Sequence, residues 1–343
     1  MKAALRRAIA RPAIPILAAA VMSACAAAPP QAPDASAIAP QLTGDHFIAD
    51  DGVALPLRVW QPDGKPKAVI LALHGFDDYS NAFTGPGGDW AKDGIATYAY
   101  DQRGFGAAPP ARGIWPGTAR LVLDLNEASH LLRDRYPTLP LFLLGESMGG
   151  AVIIVAESGT IDARRPEADG IVLSAPAIWG RASMTVLERT ALWLGDRIVP
   201  GMTVTGQGLH IMASDNIAML WALGRDPLVI KATRIDTIKG LVDLMDEAQE
   251  APPRFDKPLL LLYGEKDQVI PNEATQAFIA HLSQADTTVP RRIARYSNGY
   301  HLLLRDLDAA LVRRDIEAWI ADTTAPLPSG ADRRAAPGLA ANR

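Results

Sequence analysis

The sequence predicts an α/β fold: a mostly parallel sheet, helices on both faces and a helical cap insertion. Three observations carry this. Short, nearly continuous apolar runs recur at Ala68 to Leu73, Ile95 to Tyr100, Leu139 to Leu144, Gly170 to Leu173 and Pro258 to Tyr263. Their length and richness in Val, Ile and Leu suit strands buried on both faces. Helical spacings lie between them, as parallel crossovers require. One long stretch, 175–253, breaks the alternation with helical patterns and no convincing strand, and is expected to cap one end of the sheet.

The elements follow in chain order. Four cations (Lys2, Arg6, Arg7, Arg11) precede an uncharged run from Pro12 to Ala24. That run is shorter than the roughly 20 residues of a membrane span, and its layout reads as a signal peptide over 1–24. Residues 25–41 are Ala/Pro-rich with Asp34 as the only charge, and are expected to form a tether. Phe47 to Trp60 reads as an antiparallel hairpin turning at Asp50-Asp51-Gly52, with Val53, Leu55, Leu57 and Val59 on one face. Leu121, Leu125, Ala128 and Leu132 share one face of a helix, with Asp124, Glu127 and Asp134 off it. After the cap come a helix from Glu273 to Leu282 and a strand from Arg292 to Tyr296. A last helix, from about Asp306 to Ile320, sets Leu307, Leu311, Val312, Ile316, Trp319 and Ile320 at helical spacing. The catalytic core thus spans 42–174 and 254–322, and 323–343 reads as a disordered tail.

Composition excludes several classes of function. The 343 residues are 48% apolar, which rules out a disordered or collagen-like chain. With 34 Lys+Arg against 38 Asp+Glu the net charge is −4. Removal of the four N-terminal cations makes it more negative still, so no surface for nucleic acid is implied. Cys25 is the only cysteine, which excludes an internal disulfide and a Cys-ligated zinc. No cofactor, metal or protein partner is called for.

The chemistry sits at strand ends. Leu141-Phe142-Leu143-Leu144 runs into Gly145-Glu146-Ser147-Met148-Gly149-Gly150 and then into helical sequence. This is G-x-S-x-G between a strand and a helix, the context in which a sharp turn pushes a serine hydroxyl outward. A serine needs a base, and the base an orienting acid, here in the chain order Ser, Asp/Glu, His. Three histidines follow Ser147. His210 lies in the cap and His281 inside a helix, whereas His301 sits in a loop between a strand and the last helix, where the base belongs. Asp267 lies just past the strand ending at Tyr263 and is the expected acid, with Glu265 the weaker alternative. Asp243, Asp246 and Glu247 read as a solvated helix face. The oxyanion of an acyl-transfer intermediate needs two donors: the backbone N–H of Met148, and that of Phe76 in Leu73-His74-Gly75-Phe76-Asp77-Asp78. His74 precedes Ser147, so its expected task is to orient that loop.

Together His74-Gly75-Phe76, Asp101-Gln102-Arg103-Gly104-Phe105-Gly106, Gly145 to Gly150, Leu173-Ser174-Ala175-Pro176-Ala177, Asp226-Pro227-Leu228, Tyr263 to Asp267 and His301 resemble an α/β-hydrolase of the monoacylglycerol lipase and lysophospholipase group. The resemblance spans about residues 45 to 320. It implies an α/β-hydrolase fold, a Ser147–Asp267–His301 triad and a cap that binds an acyl chain. Glu146 stands where that group often has His, and Asp77-Asp78-Tyr79 where Gly-Glu-His is more usual. Met22-Ser23-Ala24-Cys25 resembles the lipobox of bacterial lipoproteins, which implies cleavage before Cys25, diacylglycerol on its sulfur and a membrane-anchored, periplasm-facing protein in the cell envelope.

The cap carries Trp179, Leu187, Leu192, Trp193, Leu194, Met202, Ile217, Met219, Leu220, Trp221 and Leu223. Most are expected to pack the cap onto the core, and their number favours an acyl pocket over a sugar or phosphate site. The expected activity is therefore a cofactor-free serine esterase acting on monoacylglycerols, lysophospholipids or similar acyl esters. The alternatives are a serine aminopeptidase or amidase on the same fold, and a catalytically silent envelope binding lipoprotein.

Overall fold

The computed structural model describes residues 38–109, 111–206, 208, 211–251, 256–284 and 288–333. The signal peptide, Cys25, most of the tether and His210 lie outside the described residues.

Among the described residues nine strands form one sheet: β1 (Gln41–Leu42), β2 (His46–Ile48), β3 (Ala54–Trp60), β4 (Ala68–Leu73), β5 (Ile95–Tyr100), β6 (Leu141–Glu146), β7 (Gly170–Ser174), β10 (Leu259–Gly264) and β11 (Arg291–Tyr296). Their spatial order is β1-β2-β3-β5-β4-β6-β7-β10-β11. From β5 to β11 every pairing is parallel, while β1, β2 and β3 pair antiparallel with one another and with β5. Each apolar run of the sequence is a strand of the parallel part, as fully buried strands should be. Along β4 the side chains alternate between two cores. Val69, Leu71 and Leu73 join the core under α2 (Thr118–Arg135) and α3 (Met148–Ser158), whereas Ile70 and Ala72 join the one holding Trp90 of α1 (Thr84–Lys92).

Every residue of α3 is buried, which fits a helix that is apolar all round and lies against the sheet. A buried ion cluster ties the β2–β3 turn to α2: Arg103 bonds Asp124 at 2.7 Å and Asp51 at 2.8 Å, and Arg120 bridges Asp50, Asp124 and Glu127.

The cap contains α4 (Val186–Ile198), α5 (Ile217–Arg225) and α6 (Ile235–Glu250). Helix α4 opens on a capping box in which Thr185 and Glu188 bond each other's backbone N–H groups. In contrast to a strandless cap, Thr203–Val204 (β8) and Thr233–Arg234 (β9) pair antiparallel. Two-residue strands carry too little periodicity to be read from sequence. Helix α6 belongs as much to the core as to the cap, because Val242, Leu244, Met245 and Ala248 are buried in the α3-side cluster. On its outer side Asp243 and Asp246 are not simply solvated; both hold Arg181, and Asp243 also holds Lys239.

Helix α7 spans Asn272–Gln284. Helix α8 spans Ala309–Ala321, three residues later than expected at its start, because Asp306 is drawn into the preceding loop by the Tyr300 N–H at 2.7 Å. Two further boundaries move. Gln41 of the expected tether is already in β1, and Ile38 N–H donates to Asp50 O. Residues 323–333 of the expected tail pack on the core, burying Leu327 and Ala331, with Asp332 paired to Arg292.

Candidate active site

Ser147 occupies the turn between β6 and α3 with φ 54° and ψ −115°, a region that non-glycine residues avoid. Four hydrogen bonds hold it there: Ser147 N–H donates to Ser174 O, and Ser147 O accepts from Gly150, Ala151 and Ala177 N–H. Close packing explains the flanking glycines. A Cβ on Gly149 would stand 2.2 Å from Leu73 O, and one on Gly145 2.5 Å from Gly150 N.

The three expected residues come together in hydrogen-bonded series. His301, buried in the loop between β11 and α8, places Nε2 2.9 Å from Ser147 Oγ and Nδ1 2.9 Å from Asp267 Oδ2. The other oxygen of Asp267 accepts the Val269 and Ile270 N–H groups at 2.8 and 3.0 Å, which fixes the carboxylate against rotation. Glu265 turns instead to Arg295 at 2.9 Å. His281, on α7, is exposed.

The loop after β4 lies against the serine, since a Cβ on Gly75 would come 3.3 Å from Ser147 Cβ. Met148 opens α3, so its N–H has no acceptor within the helix. His74 orients the loop as expected. Its Nε2 accepts the Gln102 N–H at 2.9 Å and its Nδ1 lies 2.8 Å from Gly75 O, so Nδ1 carries the proton and the ring is neutral. Complete burial lowers its pKa and holds it so.

Glu146 and Asp78 are joined by a residue that sequence reading missed. Arg305 Nη1 lies 2.7 Å from Asp78 Oδ2, and Nη2 lies 2.7 Å from Glu146 Oε1. Burial works against the guanidinium charge, but the two carboxylates more than offset it and raise its pKa. Two unusual carboxylates beside a nucleophile were the available signal that a cation had to be near.

Asp77 sits at φ 63°, and its Oδ2 accepts the Thr233 hydroxyl at 2.6 Å. Burial first, and the Asp78 charge after it, push its pKa from 3.8 up to about 6. Its carboxyl binds a proton more tightly folded than unfolded. The associated stability is therefore present below about pH 4 and is lost as pH rises through about 6. Asn tolerates this backbone conformation and does not ionise. Asp77→Asn is accordingly expected to gain stability over the parent as pH rises from 4 to 7, by up to about 3 kcal/mol; thermal melts across that range check it, and a pH-independent difference contradicts it.

A cavity of about 540 Å³ opens onto Ser147 and His301. Its walls are mainly apolar, with Trp179, Met184 and Leu223 from the cap, Leu241 and Met245 from α6, and Val269 and Ile270 beyond β10. Among the described residues, the carboxylate and guanidinium side chains that line it are Asp77, Asp78, Glu146 and Arg305. Of the apolar cap residues, Trp179 and Leu223 reach this cavity, but Leu187, Trp193, Leu194, Met202, Ile217 and Trp221 are exposed. The expectation that most of them pack the cap onto the core does not hold: α4 and α5 bury no residue.

The cap is stitched to both loops on either side of α5. Before it, Ala213 O accepts Leu302 N–H, Ser214 Oγ donates to Asp306, and Asn216 Nδ2 donates to Arg305 O. After it, Asp226 accepts the Tyr79 hydroxyl, and Ile230 N–H and Thr233 Oγ1 donate to Asp77.

A serine, a histidine and a carboxylate in series at strand ends of a mostly parallel sheet define an α/β-hydrolase. The family model described as serine aminopeptidase, S33 (Hydrolase_4) matches residues 64–308, and the chain belongs to that family. It is similar to the monoacylglycerol lipase of Mycolicibacterium smegmatis, 26% identical over 80% of this chain and 95% of that one. It is also similar to the monoglyceride lipase of Mus musculus, 27% identical over 83% of this chain and 92% of the relative. Among solved structures, a soluble variant of the Saccharomyces cerevisiae monoglyceride lipase superposes with a TM-score of 0.65 at 19% identity, covering 86% of this chain and 100% of that one. The Paleococcus ferrophilus monoacylglycerol lipase does so with a TM-score of 0.60 at 22% identity, covering 79% of this chain and 99% of that one.

Proposed function

We propose that this protein is a serine hydrolase that cleaves acyl esters of lipid-like substrates, monoacylglycerols or lysophospholipids, through an acyl-enzyme. The observation that carries the reading is the apolar cavity opening onto Ser147 and His301, with Asp267 behind them. Ser147 Oγ attacks the ester carbonyl as His301 Nε2 takes its proton, and Asp267 holds the Nδ1–H and stabilises the imidazolium. The Phe76 and Met148 N–H groups receive the oxyanion. Collapse expels the alcohol, which takes the proton back from His301, and water repeats the sequence to release the fatty acid.

The family's description as serine aminopeptidase favours a second reading, hydrolysis of an aminoacyl amide. That needs a free carboxylate in the recess for an ammonium group, and two of the three nearby carboxylates are already paired with Arg305. Turnover of a dispersed monoacylglycerol against an aminoacyl amide separates the two. Faster ester hydrolysis is expected; faster amide hydrolysis overturns the lipid reading, and neither turnover nor fluorophosphonate labelling makes the chain a silent binding lipoprotein.

The exposed apolar side chains of α4 and α5 suit a lipid surface, and Arg197 and Arg225 cover the rings of Trp193 and Trp221 at 4.2 and 5.5 Å. A lipid anchor at Cys25, with export to the cell envelope, belongs to the same proposal and rests on residues 1–25.

A further inference from the structure

Three of the four loops that carry the chemistry each contribute one charge to a single buried cluster. Asp78 follows Phe76 by two residues, Glu146 immediately precedes Ser147, and Arg305 follows His301 by four. Arg305 bonds both carboxylates at 2.7 Å, and Glu146 is completely buried. The arginine itself comes from a fixed base. Its N–H donates to Leu302 O at 2.8 Å, and its carbonyl accepts the Asn216 amide at 3.0 Å.

We propose that Arg305 is a positioning residue that clamps the oxyanion loop and the serine turn to the histidine loop, and so sets where the Phe76 N–H stands relative to Ser147. This rests on Ser147 being the nucleophile. A guanidinium suits the task because its planar fork engages two carboxylates in fixed directions, which a lysine ammonium does not. Without it, two carboxylates face each other in a buried site with no counter-charge, and the loops that bear them are driven apart. The reacting carbonyl draws on the Phe76 N–H most strongly as the oxyanion forms, whereas the apolar cavity holds the acyl chain in ground and transition states alike. Loss of the clamp therefore acts on the chemical step and spares binding.

The test is steady-state kinetics of Arg305→Met, Arg305→Lys and the charge-neutral triple variant Asp78→Asn/Glu146→Gln/Arg305→Met. Active sites are counted in each by stoichiometric fluorophosphonate labelling. For Arg305→Met, kcat per labelled site is expected to fall by about 10- to 100-fold with KM within about twofold, the scale of a reacting group misplaced by an ångström. Arg305→Lys should lie between it and the parent. The triple variant leaves no unpaired charge, so it keeps the fold testable, and it should remain slow per site. A kcat per site within twofold of the parent in both Met-bearing variants overturns the clamp, whatever happens to the labelled fraction, because that is the signature of a merely structural residue. A raised KM at unchanged kcat overturns it too and makes Arg305 a substrate contact. Failure of the nucleophile reading looks different: the parent chain would not label, or Ser147→Ala would label as well.

Discussion

Ser147→Ala is expected to lower kcat by about 10⁶-fold, the loss seen when the nucleophile of a triad acting as a unit is removed. The change deletes one oxygen and keeps the Cβ, so the packing of the Gly75 loop beside that carbon and the four backbone bonds of the turn remain. Melting temperature should hardly move, and the loss is then chemical. Ester hydrolysis assayed at high enzyme concentration, with a fluorophosphonate to titrate contaminating activity, measures it. Retention of even a hundredth of the parent rate would assign the nucleophile elsewhere.

The next largest effect is expected from Asp267→Asn, about 10⁴-fold in kcat. Its cause is a tautomer. One oxygen of Asp267 accepts two backbone N–H groups, from Val269 and Ile270, and the other faces His301 Nδ1. An asparagine must keep its carbonyl oxygen on the two backbone donors, so its NH₂ is turned to the histidine. Nδ1 then accepts, the proton moves to Nε2, and the lone pair that should take the Ser147 proton is gone. KM should stay near the parent value. A fall in kcat of less than tenfold would show that His301 keeps its tautomer without the carboxylate.

Much of this site was legible because its parts are local. A strand run into G-x-S-x-G, a strand run into Gly264-Glu265-Lys266-Asp267 and a histidine before the last helix each announce themselves within a few residues. Chain order set His74 aside, and a helical setting set His281 aside, leaving His301. The Arg305 cluster was not legible, because Glu146 lies 159 positions before Arg305, Asp78 lies further back still, and no short pattern links them. The break in strand–helix alternation gave away the cap but not which way its residues face, since an exposed Trp221 and a cavity-lining Trp179 look alike in a sequence. The segment after Asp322 misled through its composition. A few anchors, Leu327, Ala331 and Asp332, suffice to seat a Pro- and Gly-rich stretch that has no periodicity of its own.

The stitches on either side of α5 bear on the order of events in a catalytic cycle. Swinging the whole cap away would pull on Asp77 and Asp306, and with them on the loops that carry Phe76 and His301. Substrate on the proposed reading therefore arrives past the exposed apolar faces of α4 and α5 while the cutting machinery stays assembled. Such an enzyme is ready before the lipid reaches it, and its first turnover waits on diffusion rather than on a trigger.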